Sequence, residues 1–245
     1  MSHTIIGAAF DSHLRSLVDH SEQEEAGNVS SRGMFKIRAA DSEGHRSSAR
    51  ILVNKMYATR GYHSTIAAPD EPTNRITLVA SEKDEVIGTL SISFDTDDGL
   101  LVDQLFSDEA DALRAAGHRL CEFTKLAVDT SARSRRVLAS LFHVAYIFAY
   151  RLRGFDVLLI EVNPRHVRYY EKMLGLRALG PERLNLRVNA PAVLMHLNFG
   201  YAQEQIGKLA GKADSAIGDR SLYPFFFSIA EEAGIVGRLQ ASQDH

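Results

Sequence analysis

The chain of 245 residues has no tryptophan, six prolines and one cysteine, Cys121. A single thiol excludes an intramolecular disulfide and fits a reducing compartment. The His and Cys residues show no metal-site spacing, so no metal is expected. An excess of cations is missing as well. The 28 Lys and Arg stand against 31 Asp and Glu, for a net charge of −3. Nothing in that balance drives the whole molecule onto nucleic acid. Long apolar runs are absent. The longest, from Leu141 to Tyr150, is interrupted by His143 and falls short of the roughly 20 residues that span a bilayer. After Met1 no basic segment leads into an apolar one, so a secretory leader is not expected. The resulting expectation is a cytoplasmic protein with no nucleic-acid partner and at most peripheral membrane contact.

What is present is ordinary globular material, 45% hydrophobic and 24% charged. The length suits one domain with extensions, or at most two small domains. Residues 1–33 read as an N-terminal extension, with a short amphipathic helix over Ile5 to Val18 and a polar linker over 19–33. A core domain covers 34–200. Residues 201–245 read as a peripheral, helical C-terminal extension.

Within the core, alternation predicts strands over 34–40, 76–80, 86–95, 119–128 and 192–199. The continuous apolar run 155–162 reads as a strand buried on both faces. Helices are predicted over 46–57, 107–116, 134–153 and 164–174. Gly117 and Gly175 close two of them, and Asn163 and Pro164 stand as N-cap and first residue of the last. The order, leaving aside the short helix 107–116, is β, α, β-hairpin, β, long α, β, α, β. It implies an α/β (α+β) fold: a mixed sheet with helices on both faces.

Two segments make that order specific. LAVDTSARSRRVLASLF (126–142) runs from a strand end through a short loop and Arg133 into a long helix. FDVLLIEVNPRHVRYYEKMLGLRALG (155–180) runs from an apolar strand through Asn163 into a helix carrying Tyr-Glu-Lys. Both resemble consecutive blocks of the GCN5-related N-acetyltransferases, over about residues 34–199. Where those enzymes carry glycines, this chain has Ser134, Arg136 and Leu138. Glycines let backbone N–H groups close around a coenzyme A pyrophosphate. Side chains there would crowd it. Arg133, Arg135 and Arg136 instead offer cations on flexible arms, suited to a single phosphodiester or an acidic protein surface. Three cations at a helix start also oppose the helix dipole, which favours a bound anion.

CEFTKLAV (121–128) carries Glu-x-Thr-Lys, similar to a strand of the acyl-homoserine-lactone synthases, and Arg50-x-x-Val53 echoes their N-terminal arginine motif. The loop 61–75 offers only the adjacent Asp70 and Glu71, which speaks against S-adenosylmethionine chemistry. With NKMYATRGY, EVNPRHVRYYEKMLG and VNAPAVLMHLNF, the chain is most similar to the long-chain N-acyl amino acid synthases, over about residues 34–205.

That resemblance implies a donor thioester on the phosphopantetheine of an acyl carrier protein, a free amino acid as acceptor, and no tightly bound cofactor. Attack by an amine requires a proton acceptor, for which Glu122 is the candidate, its pKa raised by apolar neighbours. Backbone N–H groups near Leu126 and Val128 would hold the oxyanion. Lys125 would bind the acceptor carboxylate or assist the oxyanion. Glu122 and Lys125 lie three apart on a strand, so they can share a site only if a β-bulge intervenes.

Arg133, Arg135, Arg136, Leu126, Val128, Asn163 and Tyr170 are the expected contacts to phosphopantetheine and its carrier. Phe94, Leu101 and Phe106 are candidates for an acyl pocket, or are plain core. His143 reads as a packing or surface residue, Cys121 as core, and SLYPFFFSIA (221–230) as a segment packed on the body. A coenzyme A-dependent N-acetyltransferase, a homoserine-lactone synthase and a non-catalytic acyl-carrier or lipid-binding module remain the alternatives.

Overall fold

The computed structural model describes residues 18–19, 35–40, 43–58, 74–129, 134–216 and 218–241. Among these residues, eight strands form one sheet: β1 (Val18–Asp19), β2 (Lys36–Ala39), β3 (Arg75–Glu82), β4 (Glu85–Phe94), β5 (Leu120–Val128), β6 (Val157–Val162), β7 (Arg177–Asn185) and β8 (Ala190–Asn198). Six α-helices accompany them there: α1 (Glu43–Ala58), α2 (Asp103–Ala115), α3 (Ser134–Tyr146), α4 (Val167–Leu174), α5 (Phe199–Leu209) and α6 (Ile229–Ala241). The strand order is β1-β2-β3-β4-β5-β6-β8-β7. Every described pairing is antiparallel except β5 with β6.

Alternation along the strands sends side chains to two covered faces. Ile37, Leu78, Ile92, Cys121, Phe123, Leu158 and Met195 join the larger core with α3, α5 and α6. Leu120, Leu159 and Leu194 pack against Phe106 and Ala110 of α2. Ala127 meets Leu52, Val53 and Met56 of α1, and Val79 meets Ala49. The close seating of α3 requires a glycine beneath it. A Cβ on Gly88 would lie 2.9 Å from Val137 Cγ1 and 3.1 Å from Leu141 Cδ1.

Four departures from the sequence reading have physical causes. Val18, expected to end a helix, pairs with Ile37 as part of a two-residue strand; the rest of the N-terminal extension lies outside the described residues. β7 was not expected, because an edge strand mostly exposed and carrying Gly180 and Pro181 shows no alternation. The long helix 134–153 is α-helical only to Tyr146, and Ile147–Leu152 is a π-helical turn. Residues 199–241 are no peripheral appendage: Phe199, Ile206, Tyr223, Phe226, Ile235 and Leu239 are buried in the main core. Among the described residues no helix is long and apolar enough to cross a membrane.

Candidate active site

β5 and β6 pair only from Leu120–Glu122 to Val157–Leu159. Beyond that point β5 continues to Val128 and β6 to Val162 without pairing, so the sheet opens as a wedge with Glu122 at its apex. The Asp129 N–H donates to the Ile87 carbonyl of the β4 side at 2.8 Å. Strand alternation therefore turns the Val128 N–H toward the open wedge. α3 starts after β5, and Asn163 follows β6, so both flank the opening.

A β-bulge lies on the wedge-facing strand. Thr124 is opposite Ser91 and Ala127 opposite Thr89, so Lys125 and Leu126 together oppose Leu90. Lys125 is the bulged residue, with a left-handed φ of 51°. A non-glycine residue costs about 1 kcal/mol or more in that region, so the surrounding structure must enforce it. The bulge reverses the alternation between Thr124 and Ala127. Leu120, Glu122, Thr124 and Ala127 consequently face α1 and α2, whereas Cys121 and Phe123 face α3.

Glu122 is 1% exposed, between the apolar clusters under α1 and α2. Its Oε2 accepts the Leu101 N–H at 2.8 Å. Burial pushes its carboxyl up to about 7, against the opposing pull of the Leu101 and Val102 N–H groups; Glu161 adds to the rise. The amide donors come from the loop between β4 and α2, which Arg114 locks. Its Nε and Nη2 reach Asp95 at 2.7 and 2.9 Å, and Nη2 reaches Asp103 Oδ2 at 2.8 Å. Asp103 in turn accepts the Leu100 N–H at 2.7 Å. On the far side of the wedge, Glu161 of β6 is held by Asn185 and by Arg187 at 3.0 Å.

A buried polar strip continues from Glu122 across β4. Arg75 Nε donates to Ser93 Oγ at 3.0 Å, on the rung of Glu122. Thr77 and Ser91 hydroxyls bond at 2.8 Å on the next rung, where Thr124 is the third member. The Oγ1 atoms of Thr124 and Thr89 are buried with no hydrogen-bond partner. This strip was not anticipated. Its trace in the sequence is the TLSISF alternation (89–94), which puts three hydroxyls on a face that turns out to be buried.

The other expected site residues are distributed as follows. Leu126 and Val128 lie half-buried on β5. Arg133 lies outside the described residues, as do Asp70 and Glu71. Arg135 donates to the Arg220 and Ser221 carbonyls at 2.8 and 2.9 Å and covers the Phe225 ring at 4.5 Å, so it binds the C-terminal segment. Arg136 is exposed. Asn163 caps the turn Pro164–His166, accepting the Arg165 N–H at 3.2 Å. Tyr170 packs partly buried on the main core. Leu101 contributes its amide to Glu122. Phe94 and Phe106 are on opposite faces of the sheet, one against Phe155 and the other under Arg183, and so do not line one pocket. Arg50 is exposed on α1 and pairs with Glu43 at 3.6 Å. Among the described residues no group of three or more His, Cys, Asp or Glu is placed to hold a metal ion.

Residues 48–198, which contain the wedge, the bulge and Glu122, match the family described as N-acyl amino acid synthase FeeM. The chain belongs to this family. The structure of FeeM, an N-acyl amino acid synthase from uncultured soil microbes, matches with a TM-score of 0.64 at 27% identity, over 72% of this chain and 96% of FeeM. A Lactobacillus plantarum protein described as an N-acetyltransferase matches at 0.50 and 19% identity, over 67% of this chain and 97% of its own; that likeness concerns the fold. No curated protein matches the chain. Membership in the FeeM family makes the protein an N-acyltransferase.

Proposed function

We propose that this acyltransferase moves a long acyl chain from the phosphopantetheine thioester of an acyl carrier protein to the α-amino group of a free amino acid, in the cytoplasm. The observation that carries the reading is Glu122, a buried carboxyl at the apex of the wedge, raised to about 7. At that value it accepts a proton from an ammonium group near neutral pH, which is the requirement for making the amine a nucleophile.

The thioester lies along the wedge with its carbonyl at the Val128 N–H. Glu122 takes one proton from the ammonium, and the neutral amine attacks the carbonyl carbon, forming a C–N bond. Collapse breaks the C–S bond; the nitrogen's second proton passes to the leaving thiolate, giving the free phosphopantetheine thiol, and Glu122 releases its proton to solvent. Transfer is direct, within a ternary complex. Lys125 at the bulge provides charge for the acceptor carboxylate or the oxyanion. Arg135 and Arg136 stand in the first turn of α3, with Arg133 just before them in the sequence, and Arg136 is exposed. A cation in that place suits the phosphodiester and acidic surface of a carrier protein.

The test is mass spectrometry of lipid extracts from cells expressing the wild type beside Glu122→Gln, followed by transfer assays with acyl carrier protein and coenzyme A thioesters of one chain length. Long-chain N-acyl amino acids that disappear in the variant, and faster transfer from the carrier protein, are expected. Equal use of coenzyme A would remove the carrier assignment. Absence of any acylated amino acid would remove the acceptor.

A further inference from the structure

Two hydroxyls in the strip beside Glu122 have no partner. Thr124 Oγ1 and Thr89 Oγ1 are buried and unbonded, although Thr77 and Ser91 satisfy each other on the intervening strand positions. Buried hydroxyls in folded proteins nearly always find a partner, so two orphans on one face mark a place that a ligand completes. Thr89 is fully buried, and Thr124 is half-buried on the wedge-lining strand. The two flank the bulge: Thr124 pairs with Ser91, and Thr89 with Ala127 just past Lys125.

The spacing identifies the ligand's chemistry. Glu122 and Thr124 are on one face, two residues apart, or about 6.6 Å along a strand. An α-amino acid carries its amine and carboxylate on a single carbon, about 3 Å apart, and needs one hydrogen bond at each end to bridge such a gap.

We propose that Thr124, with Thr89 behind it, donates hydrogen bonds to the carboxylate of the acyl acceptor and so orients its α-amino group toward Glu122. This rests on the acylation of free amino acids proposed above and adds the residues that select a carboxylate-bearing acceptor.

The experiment compares free amino acids with matched amines that lack the carboxylate, such as tyrosine with tyramine and phenylalanine with phenethylamine. Wild type, Thr124→Val, Thr124→Ser and Thr89→Val are assayed with the same acyl donor. Wild type should prefer the amino acids. Thr124→Val should raise KM for the amino acid on the order of tenfold to a hundredfold, as the loss of a hydrogen bond to a charged group does. KM for the amine should be unchanged, kcat nearly constant, and the serine variant should restore affinity. Thr89→Val should shift KM the same way. Retained preference in Thr124→Val would overturn this inference and leave amino acid acylation standing. Equal wild-type use of amines and amino acids would do the same. A wild type that acylates no free amino acid would overturn both.

Discussion

The Leu101 N–H and the Glu122 carboxylate meet at 2.8 Å across the base of the wedge. The amide favours the charged carboxylate, and burial between two apolar clusters opposes it more strongly, leaving the group at about 7. Activity should therefore rise with pH through about 7, as the base loses its proton. Glu122→Gln should lower kcat on the order of a hundredfold to ten-thousandfold and remove that limb of the pH profile.

The same group sets a stability trend of opposite sign. Folded Glu122 holds its proton to higher pH than the unfolded side chain does, so its contribution to stability is present in acid and fades as pH rises from about 4.5 through 7. At one pKa unit per 1.36 kcal/mol, the loss by pH 8 is roughly 3 kcal/mol. Glu122→Gln should unfold at a higher temperature than wild type at pH 8 and show little advantage at pH 5. Thermal unfolding at the two pH values checks this.

Arg114 bonds Asp95 and Asp103 and so fixes the loop whose amides reach Glu122. Arg114→Met leaves two carboxylates facing each other beside that loop. The expected result is a loss of about 2 kcal/mol in stability by denaturant titration. The activity limb near 7 should also move upward, since the Leu101 and Val102 amides that favour the carboxylate are less firmly held.

Arg135 and Arg136 separate two roles at the start of α3. Arg135 bonds two main-chain carbonyls of the C-terminal segment and covers Phe225, so Arg135→Ala should lower the unfolding temperature. Arg136 is exposed, so Arg136→Ala should leave that temperature unchanged and raise KM for the acyl carrier protein by roughly an order of magnitude at low salt. Parallel melting curves and carrier-protein titrations tell the two apart.

His143 is fully buried between Phe226 and Phe227. Its Nδ1 accepts the Phe227 N–H at 3.0 Å, and its Nε2 lies 3.1 Å from Glu232, which also meets Arg151. Nδ1 is thus unprotonated and Nε2 carries the hydrogen. Burial holds the imidazole below its ordinary value of 6.5, with Glu232 and Glu231 opposing that shift. The unfolded chain binds this proton more readily, so stability should fall as pH drops below about 6.5. His143→Gln should be less stable at pH 8 and should lose part of the acid slope, as read from unfolding temperatures between pH 5 and 8.

Much of this was legible in the chain. The apolar run 155–162 and the alternation in 86–95 and 119–128 set the central strands, because burial on one or two faces writes itself directly into residue order. Asn163 and Gly175 marked helix ends by local chemistry alone, and the structure has both as caps. β7 escaped because its side chains are mostly exposed and only β8 borders it. Phe94 and Phe106 were grouped because sequence does not say which face of the sheet a helix covers. A bulge is the condition on which Glu122 and Lys125 can share a site, yet no glycine announces the one at Lys125; an ordinary side chain holds the left-handed conformation. The orphan hydroxyls depend on three strands being brought into register, which no local pattern encodes.

The match to the FeeM family model spans residues 48–198, but the unit that folds runs further. Asn198 is followed at once by Phe199, which packs against Phe123 and Tyr146, and Tyr223 reaches back to the Leu174 carbonyl at 2.7 Å. A chain cut after residue 198 would bare an aromatic wall on α3, and the remaining piece would be prone to clump even though it kept every residue of the wedge.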